Sequence, residues 1–171
     1  ASCLVGSEMC IRDRVFFVNG LCDESARFYR VFESLKATFG PSVCPVVVPY
    51  IVDGQANTYV NLFDYKAYEY GTDGSVKQTA LPDMGDRLEG LREAIKEAVA
   101  ETSEELLDKF IMGEEFTPEE IILGVSQGVK DGTICPVFCG DAHNTFAIDQ
   151  LLNSLTWLCL LYTSPSPRDK R

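Results

Sequence analysis

Apolar positions along this chain change period several times, and each change marks an element. Between Leu81 and Ala142, Leu88, Leu91, Ile95, Ala98 and Val99 recur at three- and four-residue steps, while Glu89, Glu93, Lys96 and Glu97 take the other face, so a long amphipathic helix is predicted. After a bend, Phe116-Thr117-Pro118-Glu119-Glu120 opens a second helix, with Thr117 as N-cap, Pro118 at the first helical position and Glu120 closing a capping box; Gly132 is its predicted stop. Thr133 to Cys139 is nearly all apolar and followed by a Gly, as expected for a strand buried on both faces of a parallel sheet. The run Val15 to Asn19, closed by Gly20, predicts another such strand. Phe28, Val31, Phe32, Leu35 and Phe39 predict a helix over about 24–39, stopped by Gly40-Pro41.

The middle of the chain has a different period. Val43 to Tyr50 is β-branched but broken by Pro45 and Pro49, which predicts a sheet edge or an extended connection. Asn57 to Phe63 and Lys66 to Tyr70 alternate, and Asp73-Gly74 is a turn signal before Val76 to Ala80, so a small antiparallel meander is expected. Ile148 to Leu158, carrying Leu151, Leu152, Leu155 and Leu158, predicts a last helix. The order is strand, loop, helix, an inserted unit of small sheet plus helices, then strand, loop, helix. The fold class is α/β. In a parallel sheet the loops after the two outer strands fall on one edge and can line one pocket, and ligands of such sheets sit beyond the strands' carboxyl ends.

The two ends of the chain change how composition is read. Residues 4–13, LVGSEMCIRD, can be encoded by CTC GTG GGC TCG GAG ATG TGT ATA AGA GAC, whose reverse complement, read one frame over, gives Leu-Leu-Tyr-Thr-Ser-Pro-Ser-Pro-Arg, the run Leu160 to Arg168. Ends written on opposite strands of one oligonucleotide resemble a translated sequencing adapter, so residues 1–14 and 159–171 are expected not to be native. The 171 residues carry 15 basic and 26 acidic side chains; dropping Arg12, Arg14, Arg168, Lys170, Arg171, Glu8, Asp13 and Asp169 leaves 10 and 23, a net charge of −13 over residues 15–158. A direct grip on nucleic acid is not expected from so acidic a surface, because phosphate contacts need clustered Lys and Arg. No targeting or membrane-spanning segment is read. Cys22, Cys44, Cys135 and Cys139 are too few and scattered for a disulfide framework, which suits a reducing cytoplasm.

The segment LREAIKEAVAETSEELLDKFIMGEEFTPEEI and the later strand Ile-Cys-Pro-Val-Phe-Cys-Gly, with the strand-loop order around them, resemble the translational GTPases, most closely elongation factor G and its relatives, including ribosomal protection proteins. The resemblance covers residues 15–158 and implies the back half of a P-loop GTPase-type parallel sheet with an inserted α+β subdomain at about 44–132. It implies GTP or GDP as ligand, with Mg2+ held by an N-terminal half that this chain lacks. It further implies the ribosome as partner, with the acidic stalk protein docking on the inserted subdomain, and a cytoplasmic setting. The family's guanine-reading Asn-Lys-x-Asp falls at Asn19, Gly20, Leu21 and Cys22, and its Ser-Ala turn at Asp141 and Ala142.

Guanine presents N1-H and an exocyclic amine as donors, so an ionised Asp accepting both makes a charge-assisted bidentate contact, while O6 wants a backbone N-H. This chain keeps Asn19, but Gly20 replaces the Lys and Cys22 the Asp; Asp23 stands one residue late and takes the role only if the loop slips. Asp141 replaces Ser, and the N-H of Ala142 is the expected O6 donor. Leaving ligand donors unpaired costs about 1 to 3 kcal/mol. The sequence has no GxxxxGK[ST] phosphate loop and no metal-holding Asp-x-x-Gly, so the parent is expected to be a GTPase and this polypeptide alone inactive, with no catalytic residue.

Each signal has a plainer reading. Asn19 and Asp23 after a strand are common turn residues. Cys135 and Cys139 share a strand face and read as a packed pair rather than a metal or redox site. His143, the sole histidine, has no Ser or Cys nucleophile in register and reads as a solvated turn. The carboxylates at Glu97, Glu101, Glu104, Glu105 and 114–120 read as solvated helix. The alternative function is a non-enzymatic protein-interaction module with a degenerate nucleotide site.

Overall fold

The computed structural model describes residues 14–23, 27–52 and 55–158. The expectations for 1–13 and 159–171, and for the first residues of the helix at 24–26, lie outside the described residues. Twelve elements follow in order. They are β1 (Phe16–Val18), α1 (Phe28–Phe39), β2 (Val43–Pro45), β3 (Val47–Val52), β4 (Gln55–Asn61), β5 (Lys66–Tyr70), β6 (Val76–Thr79), α2 (Asp86–Ala100), α3 (Glu104–Ile111), α4 (Pro118–Asp131), β7 (Cys135–Cys139) and α5 (Ile148–Leu158).

The molecule is α/β. A three-stranded parallel sheet runs in the order β1-β7-β2, and a four-stranded antiparallel sheet in the order β3-β4-β5-β6. β7 is central and buried at all five positions, which is why its sequence shows no alternation. Beside it β1 is only half-buried along its length. In α1 the side chains of Phe28 and Phe32 are fully buried, with ring centroids 6.0 Å apart. Each such ring contributes about 1.5–3 kcal/mol of apolar burial.

The Pro-broken stretch 43–50 does lie at a sheet edge, but as two strands in two different sheets. β2 flanks β7 in the parallel sheet and β3 flanks β4 in the antiparallel one. Val46 between them is fully buried and belongs to both: its N-H donates to the Val137 carbonyl at 2.8 Å, and its carbonyl accepts from Leu62 N-H at 2.8 Å. The antiparallel sheet therefore begins after Val46, and it has one strand more than the meander of three.

α4 ends and begins as its sequence dictates. Thr117 accepts from Glu120 N-H while the Glu120 carboxylate accepts from Thr117 N-H, a complete capping box, and Gly132 closes the helix with φ 73°. The region between α2 and α4 is not a simple bend. Ser103 accepts from Leu106 N-H and starts a separate two-turn helix, α3. Several carboxylates there are more than solvated helix: Glu115 pairs with Arg92 at 2.8 Å and with the buried Lys96 at 3.1 Å, and Glu120 also pairs with Lys109.

Candidate functional site

The carboxyl ends of the adjacent parallel strands β1 and β7 release two loops side by side, 19–23 and 140–146. Pairing of Val18 with Cys139 puts them at the same height. Backbone bonds stitch them: Gly140 N-H donates to Val18 O at 3.0 Å and Leu21 N-H to Gly140 O at 3.3 Å. Gly20, at φ 77°, makes the first turn possible. Gly140 allows a close approach, since a Cβ there would sit 2.4 Å from the Phe146 carbonyl oxygen.

Two side chains complete the lock. The Asn19 Oδ1 accepts from Ala142 N-H at 2.9 Å. The Asp141 carboxylate accepts from Cys22 N-H at 3.2 Å through one oxygen and from Asn144 N-H at 2.9 Å through the other. Burial alone would push the Asp141 pKa up, but these backbone donors outweigh it and hold the carboxyl below its ordinary value. The Cys22 thiol is raised: its burial and the neighbouring Asp141 charge push it up, against opposing contacts from Asn144 and Tyr59. Beyond Asp141 the chain turns through Ala142–Thr145, with Thr145 at φ 61°, and returns to an antiparallel bridge between Asp141 and Phe146. Thr145 is β-branched, so this left-handed position stores strain of about 1–3 kcal/mol.

Of the residues singled out from sequence, Asn19, Cys22, Asp141 and Ala142 are brought together. Cys22 interacts with Asp141 and Asn144 across the gap between the loops, whereas Asp23 is exposed one residue further on and caps the turn through its N-H to Gly20 O at 3.3 Å. The expectation that Ala142 N-H meets an incoming acceptor needs revision, because Asn19 already occupies it. The Asn19 amide nitrogen makes no bond among the described residues and is exposed. His143 is exposed in the turn. Cys135 and Cys139 are buried in β7, where the Cys139 thiol donates to Val47 O at 3.1 Å. No three His, Cys, Asp or Glu side chains converge as a metal set among the described residues.

Tyr59 and Tyr70, which sequence reasoning passes over, form the floor of the site. They rise from β4 and β5 and meet edge to face at 5.6 Å; Tyr70 leans on Phe146 and donates to Asp149 Oδ1 at 2.6 Å. Beside them a cavity of about 290 Å3 opens between Gly71, Val76, Asn144, Thr145, Phe146 and Leu152. An alternating strand reads its tyrosines simply as core, and only the tertiary fold aims them at a loop.

No known protein-family profile matches the chain. Among solved structures, the chain is similar to a crystal structure of a protein from Thermus thermophilus, with a TM-score of 0.77 and 27% sequence identity over 89% of this chain. The match covers 23% of that protein, so the chain spans less than a quarter of its length. No helix among the described residues is long and apolar enough to cross a membrane.

Proposed function

We propose that this chain supplies the base-facing loops and the inserted subdomain of a ribosome-associated translational GTPase of the elongation factor G type. The observation that carries the reading is the interlock of Asn19 with Ala142 and of Cys22 with Asp141, beyond the carboxyl ends of neighbouring parallel strands. That is where an open α/β sheet takes a nucleotide. On this reading the exposed side chain of Asn19 and the loop that carries Asp23 approach the base, while position 22 sets how strongly guanine is preferred. The fit is incomplete: Ala142 N-H is engaged, and a thiol stands where a bidentate carboxylate acceptor suits guanine. Phosphates and Mg2+ fall to parts of a longer protein, which agrees with a chain spanning so little of its structural relative. GTP turnover then belongs to the longer protein.

The test is amide chemical-shift mapping of the 171-residue chain with GDP and with ADP. Shifts confined to 19–23 and 140–146, larger with GDP, support the reading; no shifts there at millimolar GDP, or equal shifts with ADP, refute it.

A second reading, an interaction module docking the ribosomal stalk protein, is favoured by the exposure of Leu107, Ile111 and Met112 at α3 and Leu123 on α4, an apolar set amid carboxylates. Binding of stalk protein by the chain without any nucleotide-dependent shifts would favour it.

A further inference from the structure

The segment that joins the second loop to α5 is held in a conformation it would not adopt alone. Thr145 and Ala147, on either side of Phe146, both have left-handed backbone, at φ 61° and 58°, and neither is glycine. Such residues persist only where their surroundings over-determine them. The cavity beside Asn144, Thr145 and Phe146 leaves space into which the segment can relax. Tyr70, from β5, opposes that by touching both ends of it. Its ring lies against Phe146 with centroids 5.8 Å apart, and its hydroxyl donates to Asp149 Oδ1 at 2.6 Å. Burial and the Asp149 carboxylate push the Tyr70 pKa up, so the hydroxyl keeps the proton it donates.

Asp149 is anchored in turn. Its Oδ2 accepts from Gln150 Nε2 at 3.1 Å, Gln150 Oε1 accepts from Asn61 Nδ2 at 2.9 Å, and Asn61 Oδ1 accepts from Phe63 N-H at 2.9 Å. Asn61 and Gln150 are buried, where an unpaired amide is costly, so each step of this chain of bonds is fixed. It runs from the end of β4 through the first turn of α5 to the end of β5. A helix dipole alone favours a carboxylate in a first turn, but it calls for neither Tyr70 nor Asn61.

We propose that Tyr70 and Asp149 are positioning residues through which the inserted antiparallel sheet sets the second loop, and with it the Asp141 contact to the first loop. The path is short. Phe146, against the Tyr70 ring, pairs with Asp141 through two backbone bonds of 2.9 and 3.0 Å, and the Asp141 carboxylate takes the N-H of Cys22 across the gap. A partner or load that shifts β4 and β5 is thereby felt where the two loops meet. That this retunes a nucleotide site rests on the guanine reading above.

Native-state amide exchange of the 171-residue chain, followed residue by residue by NMR, tests this without nucleotide. Tyr70→Phe keeps the ring and removes only the bond to Asp149. It is expected to speed exchange at Cys22, Asp141 and Phe146 by about tenfold, while Val125 and Val129 in α4 keep their rates. A merely structural role would speed all five together. Tyr68→Phe removes a bond of the same kind from the same strand, to Asp64 at 2.8 Å, and leaves the three loop amides unchanged. In an Asp141→Ala background Tyr70→Phe no longer alters Cys22. Acceleration of the loop amides by less than about twofold, acceleration shared equally with α4, an equal effect of Tyr68→Phe, or a persisting effect on Cys22 without Asp141 overturns the proposal. GDP titration of the wild type separates the two claims. Local acceleration in Tyr70→Phe without GDP shifts keeps the positioning role and sinks the guanine reading; GDP shifts at 19–23 and 140–146 without local acceleration do the reverse.

Discussion

Replacing Asp141 by alanine tests whether the two loops are truly one structure. The wild-type carboxylate satisfies two backbone N-H groups, one from Cys22 across the gap and one from Asn144 within its own turn, and is itself 5% exposed. Charge-assisted bonds of this kind contribute about 1.5–3 kcal/mol each in full burial. Asn144 is exposed, so water replaces most of its loss and only about 0.5–1 kcal/mol remains; Cys22 N-H is half-buried and loses about 1–2 kcal/mol. The sum is about 1.5–3 kcal/mol, which at an m-value of about 2 kcal/mol/M lowers the urea midpoint by about 0.7–1.5 M. Asp141→Asn keeps one acceptor and loses about half as much. The effect depends on pH with a definite sign. The folded pKa of Asp141 is depressed, so its stabilisation is complete above the unfolded aspartate value of about 3.9 and is lost as pH falls through the lower folded value. The gap between wild type and Asp141→Ala therefore narrows in acid, and it is measured by urea titrations with unchanged m at pH 7, 4 and 3. A midpoint within about 0.2 M of wild type at pH 7 would refute the reasoning.

Three further outcomes follow from the packing. Gly140→Ala drives a Cβ to within 2.4 Å of a backbone oxygen, so it forces open the Asp141–Phe146 bridge and destabilises by more than about 2 kcal/mol, read by thermal melting and by loss of amide protection at Phe146. Thr117→Ala removes the side-chain half of the α4 capping box and lowers stability by about 1–2 kcal/mol in urea titration, leaving nucleotide-dependent shifts in place. Cys22→Asp introduces the bidentate acceptor and tightens GDP binding by about tenfold in fluorescence titration with labelled GDP, on the basis of about 1.5 kcal/mol for a charge-assisted contact; unchanged affinity counts against position 22 as the base-facing residue.

How much of this is visible in sequence depends on the distance over which each feature is specified. The start and stop of α4 are written within a few residues, in Thr117, Pro118, Glu120 and Gly132, and both are readable. β7 is readable because five buried positions in a row leave no polar alternation. The run 43–50 is not, since a β-branched stretch with two prolines looks the same whether it forms one strand or crosses between two sheets; the pairing of Val46 with Val137 and Leu62 decides it. α3 hides within a bend, although Ser103 ahead of Glu104 and Glu105 marks its cap. The bond from Ala142 to Asn19 spans 123 residues, and nothing local predicts that one candidate donor is already consumed by another candidate residue.

Val46 gives the assembly a mechanical character. A peptide segment whose N-H is fixed in one sheet and whose carbonyl is fixed in the other cannot swivel without breaking a backbone bond in at least one of them. Pulling on the antiparallel sheet would load β2 in shear against β7, the strand that ends at Gly140 and the second loop. Tension on the insertion would thus be felt at the loops before the insertion itself extends, as in a lever clamped at its fulcrum.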